Sequence, residues 1–294
     1  MERTSQIAYI DGPVHYIDHG GSGPAIVMAH GLGGSHLNWE LIGPALSAEY
    51  HPYAVDMRGF GLTPLDGQSV SLSAQAELLA RFIQEVAGGR AILVGNSMGG
   101  LISMLLAARY PELVERLVLI GPALPMRSTR NVNRATLTRL GLPVVPWIGE
   151  GAVRRFATLG TPEERTDLTW SIVTARPNRI DAATRANAVE MTRLRDTMEW
   201  APDAYCGAIR SITATLGRRR RFRDMIHRIS APTLLIHGML DEIVHFEGAE
   251  WLAQERPDWR FAPIPDAGHV PQLELPARTL KIFRDWVDSA VPAT

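Results

Sequence analysis

Between the apolar run Ala91-Ile92-Leu93-Val94 and the apolar segment Leu101-Ile102-Ser103-Met104-Leu105-Leu106 the chain reads Gly95-Asn96-Ser97-Met98-Gly99. The first run has the length of a buried strand. The second, ending at Arg109-Tyr110-Pro111, has the length and the stop signal of a helix. Ser97 therefore stands at a strand-to-helix turn. A turn that sharp strains the serine backbone, and a Cβ on either side would collide with the neighbouring strand or helix, so glycines flank it. The hydroxyl is pushed out above the sheet edge. The first backbone N–H groups of the helix and the positive end of its dipole face the same spot, where an oxyanion would form.

The same alternation extends in both directions. Residues 6–10 and 14–19, separated by Asp11-Gly12-Pro13, predict two short strands paired as a hairpin at the sheet edge. Apolar runs at 25–29, 53–55 and 113–120 predict strands buried on both faces. The first ends in His30-Gly31-Leu32-Gly33-Gly34-Ser35, the second in Asp56-Met57-Arg58-Gly59-Phe60-Gly61, the third in Gly121-Pro122. Helices are expected over 39–46 and 72–86, the latter with Leu79, Phe82, Ile83 and Val86 at helical spacing. Strands alternating with helices imply a parallel sheet with right-handed crossovers, whose ligands bind beyond the carboxyl ends of the strands. His30, Ser97 and Gly121 then share one edge. Asp56 and Arg58 read as charges that fix their loop, because such pairs at turns commonly satisfy backbone groups.

From 123 to 228 strand-like runs disappear and helical ones take over. Thr161-Pro162-Glu163-Glu164 carries the N-cap, first-turn proline and capping-box glutamate of a helix start. The strand pattern returns at 233–236. The chain thus divides into a core, 1–122 with 229–294, and a helical insertion, 123–228. The net charge of −1 conceals an asymmetry, since the insertion holds nineteen arginines against ten acids. These arginines, with the run Arg218-Arg219-Arg220-Arg221, either form a solvated face that helps hold the insertion to the core or set up a field that draws in acidic substrates. Leu137, Leu140, Leu142, Val144, Val145, Trp147, Ile148, Phe156 and Leu159 crowd another part, broken by Pro143 and Pro146. They form either the insertion's own core or, in part, the wall of an apolar pocket.

The strand at 233–236 runs into His237-Gly238-Met239-Leu240-Asp241, and one near 259–264 runs into Pro265-Asp266-Ala267-Gly268-His269. A serine hydroxyl is a poor nucleophile alone; it needs an imidazole to take its proton and a carboxylate to hold that imidazole in the right tautomer. Ser97, Asp241 and His269 occur in that order, each after a strand. Asp241, ending its own strand, is the better partner for His269 than the sequence-adjacent Asp266. His30 and His237 open glycine turns and read as braces. The nine histidines show no metal-ligand spacing, so no metal is expected. The single cysteine, Cys206, excludes an intramolecular disulfide and reads as a small buried apolar residue.

The Gly95-Asn96-Ser97-Met98-Gly99 turn, the His30-Gly31-Leu32-Gly33 loop, the His237-Gly238-Met239-Leu240-Asp241 segment and the Ala267-Gly268-His269-Val270-Pro271 segment with Glu274 together resemble the α/β-hydrolase superfamily, in its serine esterase and lipase-like branch. The resemblance covers nearly the whole chain outside the insertion. It implies an α/β fold with a mostly parallel, doubly wound sheet and a helical lid inserted between two strands. It makes Ser97 the nucleophile, His269 the general base, Asp241 its orienting acid, and the N–H groups of Leu32 and Met98 the oxyanion hole. Trp147, Leu142, Val145 and Val270 are the expected substrate contacts, and no cofactor is implied.

Relatives that open epoxides or displace halide carry aspartate at this turn, so Ser97 implies acyl transfer to water from a small or medium-sized carboxylic ester. Two alternatives stand beside this. One is a carbon–carbon bond hydrolase of dienoic ring-fission products, whose members carry tryptophan after the catalytic histidine where this chain has Val270. The other is a slow hydrolase acting as a ligand-binding receptor. Near-neutral charge gives no reason to expect a nucleic-acid partner. No apolar signal core opens the chain, and no run approaches the roughly 18 apolar residues of a membrane span. The expectation is a cytoplasmic monomer or homodimer.

Overall fold

The computed structural model describes residues 4–125 and 144–289. Eight strands form one sheet: β1 (Thr4–Tyr9), β2 (Pro13–Asp18), β3 (Ala25–Ala29), β4 (His51–Val55), β5 (Ala91–Asn96), β6 (Val114–Ile120), β7 (Thr233–Gly238) and β8 (Arg260–Ile264), in the order β1-β2-β4-β3-β5-β6-β7-β8. β1 and β2 are the expected antiparallel hairpin, in register from Thr4 opposite Asp18 to Tyr9 opposite Pro13. β2 also runs antiparallel to β4, and every pairing from β4 to β8 is parallel.

The inner strands alternate between two hydrophobic cores, as period-2 side chains in a doubly covered sheet must. Val27, Leu93, Leu117 and Leu235 face the core shared with α2 (Leu72–Glu85) and α3 (Met98–Arg109). Ile26, Ile92, Val118 and Leu234 face the core completed by Trp39, Ile42 and the last helix, Pro276–Ser289. Burying each such side chain contributes about 1.5–3 kcal/mol.

The helix expected over 39–46 is two pieces. A 3₁₀ turn, His36–Trp39, is capped by Ser35 and Asn38 in a capping box, and a separate single turn, α1 (Gly43–Leu46), carries Pro44 at its start. Proline fits a first turn because it has no N–H to leave unpaired.

Between β6 and β7 the described residues form the helices Ile148–Ala157, Pro162–Val173, Ala182–Asp196, Ala201–Gly217 and Arg219–His227. Thr161 caps the second of these with the capping box read from the sequence. Many of the insertion's arginines pair inside it: Arg165 with Asp196, Arg185 with Asp167, Arg193 with Glu163 and Arg210 with Glu150. Arg179 reaches across to Asp266 and Glu274 of the core.

Candidate active site

Ser97 sits at φ 55°, ψ −118°, between the end of β5 and the start of α3. Non-glycine residues rarely adopt this conformation, and it stores of order 1–3 kcal/mol. The surroundings hold it in place: its N–H donates to the Ile120 carbonyl at 3.1 Å, and its own carbonyl accepts from Leu101 and Ala123. The flanking glycines are required by contact. A Cβ on Gly95 would lie 2.4 Å from the Gly99 oxygen, and one on Gly99 would lie 2.1 Å from the Ala29 oxygen. Met98 is the first residue of α3, where an N–H has no acceptor within the helix.

Asp241 and His269, on the loops after β7 and β8, meet at 2.7 Å between Oδ2 and Nδ1. The other carboxylate oxygen accepts the amides of Ile243 at 2.8 Å and Val244 at 2.9 Å. Burial alone would raise the Asp241 pKa, but the charge and hydrogen bond of His269, with His237 and the Val244 amide, together outweigh it and the net shift is downward. An acceptor-only carboxylate fixes the proton of His269 on Nδ1 and leaves Nε2 able to accept one.

The two histidines read as braces behave as such. His30 Nδ1 donates to the Gly31 carbonyl at 2.7 Å while Nε2 accepts from the Met57 amide at 3.0 Å. Burial lowers its pKa to about 4, so it stays neutral. His237 donates from Nε2 to the Val244 carbonyl at 2.7 Å, and burial likewise lowers its pKa. Asp266 pairs with Arg179 and Arg278 and takes no part in the His269 pair.

Asp56 and Arg58 both fix their loop, through separate partners. The fully buried Asp56 accepts from the Nδ1 of His15 at 2.7 Å and of His36 at 2.9 Å, and from the amides of His36 and Leu62. Arg58 donates to the Ile10 and Pro13 carbonyls. His15, His36 and Asp56 bring ligand-type atoms within 4.8 Å of one another. Both Nδ1 atoms carry their protons toward the carboxylate, however, so their lone pairs are not offered to an ion, and the cluster is a hydrogen-bonded clamp.

Two residues present in the quoted motifs had no role assigned from sequence. Asn96 Nδ2 donates to the carbonyls of Ile120 at 2.9 Å and His269 at 3.1 Å, tying the serine turn to the histidine loop. Glu274 accepts from Gly268, Ala175 and Arg176 amides. The signal was their position within motifs, and nothing local in the sequence reveals their distant partners.

Ser97 and His269 open onto one cavity of about 160 Å³, lined also by Leu32, Trp170, Val173, Met191, Arg195 and Val270. Of the expected substrate contacts, Val270 is therefore at the cavity. Trp147, 89% exposed, and Val145, 43% exposed, lie on the surface and do not line it. Leu142 lies outside the described residues. Among the described residues the helices Pro162–Val173 and Ala182–Asp196 contribute to the wall, while Ile148–Ala157 packs on Ala201–Gly217. A larger recess, about 380 Å³ between α2, α3 and Arg228, is remote from Ser97.

A model of the α/β hydrolase fold matches residues 24–276. This chain belongs to the α/β hydrolase fold family. The hydrolase is 31% identical over 267 residues to a pimeloyl-(acyl-carrier protein) methyl ester esterase of Aromatoleum aromaticum, covering 90% of this chain and 98% of that one. It is 25% identical over 276 residues to the protein of the same name from Aeromonas hydrophila, covering 92% and 98%. Among solved structures, Cfl2 from Burkholderia cenocepacia superposes with a TM-score of 0.81 at 21% identity, covering 96% of this chain and 95% of that one, a likeness of fold. No described helix of the hydrolase is long and apolar enough to cross a membrane.

Proposed function

We propose that this hydrolase cleaves a small or medium-sized carboxylic ester through an acyl-enzyme on Ser97. The observation that carries the reading is the strained serine and the Asp241-held His269 opening onto one cavity. Ser97 Oγ attacks the acyl carbon as His269 Nε2 takes its proton, and the N–H groups of Leu32 and Met98 receive the oxyanion. The C–O bond to the alcohol breaks with the proton returned from His269. Water, deprotonated by His269, then attacks the acyl carbon and frees Ser97.

The likeness to methyl ester esterases supports an acyl methyl ester among the substrates. Trp170, Val173, Met191 and Leu273 give the cavity an apolar wall suited to an acyl chain. The insertion, 123–228, serves in this reading as the lid over the site. The reading extends to a cytoplasmic monomer or homodimer, in keeping with the single buried cysteine.

The test is burst kinetics with a chromogenic butyrate ester together with labelling by a fluorophosphonate. One mole of alcohol released per mole of enzyme in the burst, with the label on Ser97, is expected. Steady turnover without a label on Ser97 overturns it.

A further inference from the structure

Arg195, in the last turn of the helix Ala182–Asp196, lines the cavity that holds Ser97 and His269. Most other polar groups in that lining already have partners, the indole N–H of Trp170 excepted. The hydroxyls of Thr166 and Thr192 are 3.0 Å apart, and that of Thr169 donates to the Arg165 carbonyl. The Asn96 amide is held by two carbonyls, and Asn38 accepts from the Ser35 amide. Glu40, the one carboxylate in the described lining, accepts from the Asn187 side chain at 2.7 Å.

The guanidinium of Arg195 differs from these groups. Among the described residues it has no hydrogen bond and no carboxylate within ion-pair distance, and the neighbouring Asp196 is taken by Arg165. Its place at a helix C-terminus suits a cation. That does not account for a guanidinium at the cavity wall with no protein partner among the described residues for its five N–H donors. A partly buried cation without a counterion gains from a ligand that supplies one. Burial pulls the Arg195 pKa below the ordinary arginine value, only partly offset by Tyr205, Asp196 and Asp56. Its field also reaches His30, which opens the loop bearing Leu32, so the cation lies within electrostatic range of the proposed oxyanion loop.

We propose that Arg195 selects substrates with a second, anionic group: a carboxylate held at the guanidinium while the ester carbon sits at Ser97. This rests on the serine-esterase reading above. A cavity of about 160 Å³ limits the spacer between the two groups to a short chain, which points to half-esters of small dicarboxylic acids.

The experiment compares methyl half-esters of succinic, glutaric and adipic acids with methyl butyrate, valerate and hexanoate, following acid release at constant pH. At the best chain length kcat/KM should favour the anionic ester by about tenfold or more. Arg195→Gln should bring that ratio to about one, and Arg195→Lys should retain part of it. A ratio near one in the native enzyme overturns the proposal. So does an Arg195→Gln variant in which both esters fall in parallel, since that would place the cation at the reacting carbonyl.

Glutarate binding, read by calorimetry, needs no turnover. It should be measurable for the native enzyme and for Ser97→Ala, and lost in Arg195→Gln. Glutarate binding without ester hydrolysis would overturn the esterase reading and leave the anion site standing. Ester hydrolysis with no glutarate binding in either of these two proteins would do the reverse.

Discussion

The backbone amide of His269 donates to the carbonyl of Val173 across 2.8 Å, so the proposed general base hangs from the end of an insertion helix. Glu274 reinforces the link. Its buried carboxylate accepts Gly268 at 2.8 Å on the core side, and Ala175 at 3.1 Å and Arg176 at 2.8 Å on the insertion side. The histidine loop and residues 173–176 therefore form one hydrogen-bonded unit, and His269 is positioned by the insertion as well as by Asp241.

Removing that carboxylate leaves three backbone donors without their acceptor, the Gly268 amide in a buried position and those of Ala175 and Arg176 in partly buried ones. Glu274→Ala should destabilise the fold by about 2–4 kcal/mol and lower kcat by about tenfold or more, with a smaller change in KM. Glu274→Gln, which keeps one acceptor oxygen, should fall between. Thermal melts and steady-state ester kinetics on the two variants check this. A kcat unchanged in a destabilised Glu274→Ala would show the unit to be a fold device alone.

Ser97 carries both the proposed chemistry and the strain, and substitutions separate them. Ser97→Ala keeps the positive φ with a Cβ and should lose turnover by about 10⁵-fold or more while melting close to the native protein. Ser97→Gly should be equally inactive but more stable than Ser97→Ala by about 1 kcal/mol, because glycine adopts this φ freely. Asp241→Asn should lower kcat by about 10³–10⁴-fold through the wrong imidazole tautomer. Equal melting temperatures for the alanine and glycine variants would remove the strain argument.

The sheet was legible because buried parallel strands are written as short apolar runs, and the places of the proposed serine, acid and histidine were legible because each follows one. The break at 39–46 was hidden by an apolar pattern that fits one helix as well as two turns; Pro44 was its only local sign. The described part of the cavity wall is not written locally, for a different reason. The apolar crowd around Trp147 is denser than anything in the helices Pro162–Val173 and Ala182–Asp196. Which helix covers the site is decided by contacts such as His269 to Val173, nearly a hundred residues apart, and no local pattern encodes them. Likewise the arginine excess was countable, but which arginines are paired was not. Arg165 and Arg195 look alike in sequence, and only the fold gives Asp196 to the first.

The described wall carries a direct consequence for the proposed specificity. Trp170→Ala should enlarge the cavity and shift preference among acyl esters toward longer or bulkier chains, changing relative kcat/KM by about tenfold. Trp147→Ala, at a surface position, should leave the order of preference as it is. A chain-length series from acetate to octanoate on both variants distinguishes them. A reordered series in Trp147→Ala with none in Trp170→Ala would return the acyl site to the surface tryptophan.

Acid should weaken the fold in two stages. His30 is fully buried, its two ring nitrogens satisfied only in the neutral form, and its pKa falls from 6.5 to about 4 on folding. The unfolded chain therefore binds a proton at a pH where the folded one refuses it. Stability is complete above about pH 6.5 and is lost as pH falls toward 4, by about 3 kcal/mol from this residue. His237, shifted in the same direction by burial, adds to the same window. Asp56 acts lower down. Burial works to raise its pKa, but hydrogen bonds from His15 and His36 prevail and hold it well below the ordinary 3.8, so its contribution disappears only as pH falls below that value. Urea unfolding at pH 7, 5.5 and 4.5 should show a steep loss in the native protein. His30→Gln, whose amide can donate to Gly31 and accept from Met57, should be less stable at pH 7 yet lose about 2–3 kcal/mol less on going to pH 4.5. The same acid loss in both proteins would mean that His30 is not the group refusing the proton.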